Sequence, residues 1–365
     1  MSQVSPSPLH QLIVERIQRE GPLTFAEYMR VALYEPGYGY YVSGSVKMGW
    51  EPGDYVTSTD ISELFANCLG RQLCQFWEKL KRPMPFVVLE QGAGRGDLAV
   101  GVQAWATREA ADFAQALVYS TADISSGQDS LHTTDQPTAH VLLSNELIDA
   151  LPVHVIEVRE GQLYEAYVDC QDGRLHEIVS EPSSPQVAGY LDHAKIPWQG
   201  FPNGWRAEIN LEATHWLEQS VRVLRPHGFI LAIDYGEKAG ELYVRDRRSG
   251  TLLCYYQHAT NERPLLFPGE QDITAHVDFS ALIEQGRALG LRLHTYTTQR
   301  QWLENCGLRA ELETRRARDF ALADSSRASD QGQVALLAWY NLRQRAAILT
   351  DPAGMGNFKV LVLRR

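Results

Sequence analysis

Two hydrophobic periods alternate along this chain, and the switches between them set the order of elements. Residues 9–20 place Leu12, Ile13 and Ile17 on one helical face, and Thr24 reads as the N-cap of a second helix through Leu33. A helix capped by Thr59 or Asp60 runs to about Leu80 and leads into the unbroken apolar run Phe86-Val87-Val88-Leu89, a buried strand. Gly92, Gly94 and Gly96 end that strand, and residues 97–108 continue as a helix. Further strands are predicted at 117–123, 140–144, 228–234, 291–295 and 358–363. Further helices are predicted at 279–289, closed by Gly290, and at 299–305, 308–323 and 331–349. Residues 153–158, 163–169 and 175–179 alternate like an antiparallel meander with a turn at Gln171-Asp172-Gly173. Residues 181–186 read as a proline-serine loop, and Trp205 to Asn210 as the opening of a long helix to about Leu224. The pattern predicts an open α/β sheet with helices on both faces. An N-terminal helical and loop cap covers 1–80, and a core covers 81–365 with insertions at about 153–205 and 237–277.

The glycines locate the candidate chemistry. Alternating glycines permit positive φ and let a ligand approach the backbone, and the helix start behind them offers free N–H groups. A dinucleotide fingerprint, G-x-G-x-x-G, would need glycine at 97, which is Asp97; no Lys-Ser or Lys-Thr follows, so a phosphate-binding P-loop is excluded. Glu90-Gln91-Gly92-Ala93-Gly94-Arg95-Gly96 instead resembles the S-adenosylmethionine site of class I methyltransferases. In such sites the acid handles the cofactor's ammonium and the glycine backbone lies against it. The plainer alternative is a ligand-free βα turn, for which three alternating glycines are conformationally costly.

Charge and cysteines narrow the classes. The net charge is −11 with no basic block, which disfavours a general nucleic-acid surface. The five cysteines form no C-x-x-C pair, which fits a reducing compartment and gives no zinc signature. No apolar run approaches a membrane span, and residues 1–10 read as neither a secretory leader nor an arginine-rich transit peptide, so a cytoplasmic protein is expected. A homodimer is compatible with this composition.

Tyr34-Glu35-Pro36-Gly37-Tyr38-Gly39-Tyr40-Tyr41, then Gly53-Asp54-Tyr55-Val56-Thr57-Ser58, then the glycine loop, resemble the MidA family, which includes the mitochondrial complex I assembly arginine methyltransferase and bacterial relatives. Asn145-Glu146-Leu147-Ile148-Asp149-Ala150-Leu151-Pro152 matches that family's most specific block, and Pro268 to Phe279 matches another. The resemblance implies a class I methyltransferase (Rossmann-like) sheet with a reversed final strand, S-adenosyl-L-methionine as cofactor, and a protein arginine, in a respiratory-complex subunit, as methyl acceptor. It covers about residue 25 to the C-terminus. Two departures stand out. The proline that usually follows the Thr57 loop is replaced in Ser58-Thr59-Asp60. Only about sixteen residues separate Asp123 from His140, where a methyltransferase core normally fits a third strand that contributes to adenine recognition.

The candidate residues follow. Glu90, Gly92, Gly94, Gly96, Thr57 and Asn145 are expected at the cofactor. Asp123, an acid ending a strand, fits the ribose hydroxyls; the simpler alternative is a helix cap. Glu146 and Asp149 stand at the carboxyl edge of an open sheet, able to hold a cation and take a proton. Glu208, Tyr235 and His276 are expected on the substrate side, although Glu208 reads equally well as a helix-start acid. His258, Asp272, His276 and Asp278 lack metal-ligand spacing, so pocket walls are expected rather than a metal site. A small-molecule methyltransferase and a non-catalytic assembly factor remain as alternatives.

Overall fold

The computed structural model describes residues 7–43, 63–123, 138–257, 259–325 and 330–365. In chain order the N-terminal part contributes α1 (Pro8–Glu20), β1 (Leu23–Thr24), α2 (Phe25–Tyr34) and α3 (Glu63–Lys79). Then follow β2 (Phe86–Gln91), α4 (Asp97–Glu109), α5 (Ala111–Ala116), β3 (Leu117–Ala122) and β4 (Ala139–Asn145). A second group comprises β5 (His154–Arg159), β6 (Gln162–Gln171), β7 (Arg174–Ser180), α6 (Pro185–His193) and β8 (Trp205–Ile209). Next come α7 (Leu211–Val223), β9 (Leu224–Asp234), β10 (Gly236–Glu237), α8 (Ala239–Leu242), β11 (Leu253–Tyr256), β12 (Ala259–Asn261), β13 (Asp272–Thr274) and β14 (Val277–Asp278). The chain closes with α9 (Phe279–Ala288), β15 (Arg292–Thr298), α10 (Gln299–Asn305), α11 (Leu308–Ser325), α12 (Asp330–Thr350) and β16 (Lys359–Arg364).

Both faces of β2 and β4 are buried at every position, as strands covered on two sides require. They lie centrally in a six-stranded sheet of order β15-β16-β9-β4-β2-β3. β3, β2, β4 and β9 run parallel, and β16 runs antiparallel to both β9 and β15, so the expected reversed final strand is present. Among the described residues nothing pairs with the outer edge of β3, and its exposed pattern, Val118 at 45%, is that of an edge. Residues 124–137, where the third strand of such a core would fall, lie outside the described residues. One sheet face packs on α3, α4 and α10, with Phe76 stacked on Phe229 at 4.1 Å. The other packs on α7 and α9 through Trp216, Leu217, Phe279 and Leu282.

The expected meander forms a second sheet, β1-β6-β5-β8 with β7 on β6. Its turns place Glu160-Gly161 and Asp172-Gly173 at positive φ, the mirror-image turns that match strand twist. α1 and α2 cover one face of it, and α6 with Ala239, Leu242 and Tyr243 covers the other. Thr24 caps α2 in a capping box with Glu27. α3 packs instead in the main-sheet core, so of the described elements in the expected cap region α1 and α2 lie on the inserted sheet and β1 joins its edge.

Two local expectations are corrected. Residues 205–209 form a strand, because Trp205, Ala207 and Ile209 bury one face against β5; the helix starts only at Leu211, capped by Asn210. Residues 185–193 are helical, capped by Ser184 with Pro185 in the first turn, a start signal hidden in the proline-serine stretch.

Candidate active site at the carboxyl edge of the main sheet

The turn after β2 needs its glycines. Gly92, Gly94 and Gly96 have φ of 71°, 52° and 78°, and a Cβ on Gly92 would lie 2.8 Å from Leu147 Cδ1. Gly96 caps α4 with no side-chain hydrogen bond to the helix start. The Gly94 N–H donates to Asp123 Oδ2 at 2.9 Å, so the acid ending β3 is drawn onto the glycine loop. Glu90, one strand position before the loop, is 3% exposed and accepts a hydrogen bond from the Tyr119 hydroxyl at 3.0 Å. Burial pushes its carboxyl up to about 7; the Tyr119 bond works against this and the nearby Asp123 charge adds to it. A buried acid so poised gains from a cation beside it.

The turn after β4 carries the second cluster. Glu146 sits at φ 52°, rare for a residue with a Cβ, and its N–H is held by the Ile233 carbonyl at 2.9 Å. The 3₁₀ turn Ile148–Ala150 is gripped from every side. Asp234 Oδ2, at the end of β9, accepts from the N–H groups of Ile148 and Asp149 at 2.9 and 3.3 Å. The Ile148 carbonyl accepts from Asn210 Nδ2 at 3.1 Å, the Asp149 carbonyl from Ala275 N at 3.0 Å, and the Ala150 carbonyl from the Tyr34 hydroxyl at 2.9 Å. Four remote segments thus fix one three-residue turn. Its product is unusual: Asn145 Oδ1 and Asp149 Oδ1 are buried with no hydrogen-bond partner among the described residues. Burial pushes the Asp149 carboxyl up to about 6, with Tyr235 and His276 favouring the ionised form. The Asp234 carboxyl is raised too, by burial first and then by the Asp149 and Glu146 charges.

Tyrosines wall this acidic edge. Tyr34 and Tyr41 stack at 5.6 Å, and the Tyr41 hydroxyl donates to Asp272 Oδ1 at 2.7 Å. Tyr34 lies within electrostatic reach of Asp123, Asp149 and Asp272, and Tyr255 of Glu146, Asp149 and Asp272; burial and these charges push both phenols up. The aromatic stretch at 34–41 and the block around Asp272 therefore reach the same sheet edge as the glycine loop.

Of the expected residues, Glu90, the three glycines, Asp123, Asn145, Glu146, Asp149 and Tyr235 converge on adjoining strand ends. His276 Nδ1 lies 3.4 Å from Glu237 Oε2, and its ring meets Tyr235 edge-on at 5.3 Å. Glu208 is buried within β8, and its Oε2 accepts from Thr251 N and Oγ1 at 2.8 and 2.7 Å; it fastens that loop rather than starting a helix. Thr57 lies outside the described residues. The sequence puts Asp272 among expected pocket walls and Asp234 at the polar end of a strand, and it does not single out Tyr34, Tyr41 or Tyr255 as site residues. The available signals were an acid ending a strand and the tyrosine run, which alone reads as loop packing.

The parallel sheet with a reversed final strand, and a glycine turn facing a strand-end acid, define a class I S-adenosylmethionine-dependent methyltransferase. The donor set fits that cofactor: the positive-φ glycine turn bares its backbone, Asp123 stands beside the loop, and Glu90 would be the buried acid for the ammonium. When bound, the cofactor supplies an electrophilic methyl group; the protein's part is to align an acceptor and hold its proton.

The profile of a family described as "Putative S-adenosyl-L-methionine-dependent methyltransferase" matches residues 68–297, and the chain belongs to this MidA-like family. A Drosophila melanogaster relative, "Protein arginine methyltransferase NDUFAF7 homolog, mitochondrial", is 28% identical over 95% of this chain and 83% of its own length. The Homo sapiens "Protein arginine methyltransferase NDUFAF7, mitochondrial" is 26% identical over 84% and 75%. The crystal structure of a COG1565 superfamily member from Burkholderia thailandensis bound to S-adenosyl-homocysteine aligns with TM-score 0.81 and 27% identity, covering 100% of this chain and 95% of that one. The chain is an S-adenosylmethionine-dependent methyltransferase. Among the described residues no helix is long and apolar enough to cross a membrane.

Proposed function

We propose that the methyl acceptor is a protein arginine. One observation carries this reading: the acceptor side of the site presents two buried, unpartnered acceptor oxygens, Asn145 Oδ1 and Asp149 Oδ1, among tyrosines and further carboxylates. A buried acceptor left unpaired costs about 1–3 kcal/mol, so the edge favours a ligand rich in N–H donors. A guanidinium offers five in a planar fork, stays cationic, and stacks on aromatic faces. The arginine methyltransferase names of the relatives support the same choice. In this reading Glu146 and Asp149 orient the guanidinium and take up its charge, Glu208, Tyr235 and His276 shape the acceptor side, and Thr57 joins Glu90 and Asp123 at the cofactor, while Asn145, expected there from the sequence, turns its Oδ1 to the acceptor. The partner is a protein, with a respiratory-complex subunit the expected class, and the working compartment is the cytoplasm.

The test is methyl-labelled S-adenosylmethionine given to the enzyme with lysate from a strain lacking it. Label in protein arginine is expected. Label confined to small molecules refutes the acceptor, and label on protein at another residue type refutes arginine.

A further inference from the structure

We propose that Asp149 is the carboxylate that receives the acceptor's proton, and that Asp234 is the positioning residue that presents it. The proposal rests on the guanidinium reading. Glu146 and Asp149 are both acids of the same turn, but the structure treats them differently. Glu146 Oε1 already accepts Asn145 Nδ2 at 3.1 Å. Asp149 is 5% exposed, and although Tyr235 bonds its carboxylate, Oδ1 is left without a hydrogen-bond partner among the described residues. A carboxylate oxygen and an amide oxygen left without donors within residues 145–149 are two acceptors for a forked donor.

Asp234 is wholly buried at 0% exposure and touches no solvent, so it is placed to act through the turn. Its Oδ2 holds the Ile148 and Asp149 N–H groups while its Oδ1 accepts from Tyr235 N at 3.0 Å. This sets the Asp149 backbone against the end of β9 while leaving its side-chain oxygen unspent. The charged and titratable groups facing Asp149 are Asp234 and Tyr235 from the end of β9, Tyr34 from α2, Tyr255 from β11 and His276 before β14, with Glu146 in the same turn.

The step balances. The acceptor nitrogen's electron pair forms the new N–C bond as the sulfur–carbon bond breaks and leaves its pair on sulfur. The nitrogen's proton passes to Asp149. A guanidinium, a sulfonium and a carboxylate become a methylguanidinium, a neutral thioether and a carboxylic acid.

The experiment compares wild type, Asp149→Asn, Glu146→Gln and Asp234→Asn in the full chain. Three readouts apply: S-adenosyl-homocysteine calorimetry, labelled methyl transfer to lysate protein across pH 5–9, and ligand-free urea unfolding across pH. Asp149→Asn is expected to bind the product within about twofold of wild type and to lose transfer by about 10²–10⁴-fold, the usual worth of a positioned proton acceptor. Glu146→Gln, a change at a guanidinium-orienting residue that leaves the Asp149 carboxylate in place, is expected to lose less transfer than Asp149→Asn; a larger loss overturns the assignment of the proton to Asp149. Burial keeps the Asp234 carboxyl protonated more readily than Asp149, so Asp234→Asn changes no charge beside Asp149; it swaps one of the acceptor oxygens that hold the turn for a donor, and kcat falls while the acid limb and the product Kd stay as in wild type. An Asp149→Asn enzyme with more than a tenth of wild-type transfer overturns the proton role. Wild-type kcat in Asp234→Asn overturns the positioning role. If Asp234→Asn fails to bind product, Asp234→Glu replaces it: lowered kcat with a wild-type limb is expected, and wild-type kcat refutes. If wild type labels an acceptor other than arginine, the guanidinium reading fails, and Asp149→Asn on that same acceptor still decides the proton role.

Discussion

Glu90→Gln should separate stability from binding. Burial raises the Glu90 carboxyl from its ordinary 4.5 to about 7. The folded chain therefore holds this proton more tightly than the unfolded chain, and wild-type stability from this group falls as pH rises from about 4.5 through 7, then levels. At 1.36 kcal/mol per pH unit, the difference of about 2.5 units corresponds to about 3 kcal/mol of destabilisation at pH 8.5. The side chain is 3% exposed, so solvent screens little of it. Glutamine removes the charge and still accepts from the Tyr119 hydroxyl, which donates at 3.0 Å in wild type. Ligand-free Glu90→Gln is expected to be more stable than wild type by about 2–3 kcal/mol at pH 8.5 and by under about 1 kcal/mol at pH 5. The same substitution should weaken S-adenosylmethionine binding, because the ammonium loses its carboxylate partner, and should shrink the ligand-induced rise in Tm. Urea unfolding at the two pH values and calorimetric titration supply the measurements. A Glu90→Gln chain less stable than wild type at pH 8.5 would show that the carboxylate is not strained by burial, and the argument fails.

Gly94→Val demands a β-branched residue at φ 52° and should abolish S-adenosyl-homocysteine binding; a folded variant with an unchanged Kd excludes the loop as the cofactor site. Asp123→Ala should weaken that binding by about 1.5–3 kcal/mol, the worth of hydrogen bonds to a charged group, whereas a loss of about 0.5 kcal/mol or less leaves Asp123 only its bond to Gly94 N. Phe76→Ala empties a fully buried position stacked on Phe229 and should cost about 3–5 kcal/mol in denaturant unfolding; a cost below about 1 kcal/mol would mean α3 is not integral to the main-sheet core.

What the sequence alone determined about this protein is what short-range rules control. A strand buried on both faces must be apolar throughout, and a turn with three positive-φ positions must have glycines, so β2 and its loop were legible from 86–97. The capping box at Thr24 and the mirror-image turn at Asp172-Gly173 are likewise written in neighbouring residues. Class and cofactor followed from that loop together with the Asn145–Pro152 block. Tertiary structure decided the rest. Residues 205–209 carry a pattern that reads as a helix start, yet pairing with β5 makes them a strand, since burial on a sheet outweighs a weak local preference. The tyrosines of 34–41 looked like loop packing because their partners are remote: Tyr34 meets Ala150 across 116 positions and Tyr41 meets Asp272 across 231. Nor could spacing distinguish Glu146 from Asp149. That difference depends on which carboxylate oxygen is left without a donor once Asp234, Asn210, Ala275 and Tyr34 have taken hold of the turn. Such hydrogen-bond accounting exists only when those distant segments are folded together.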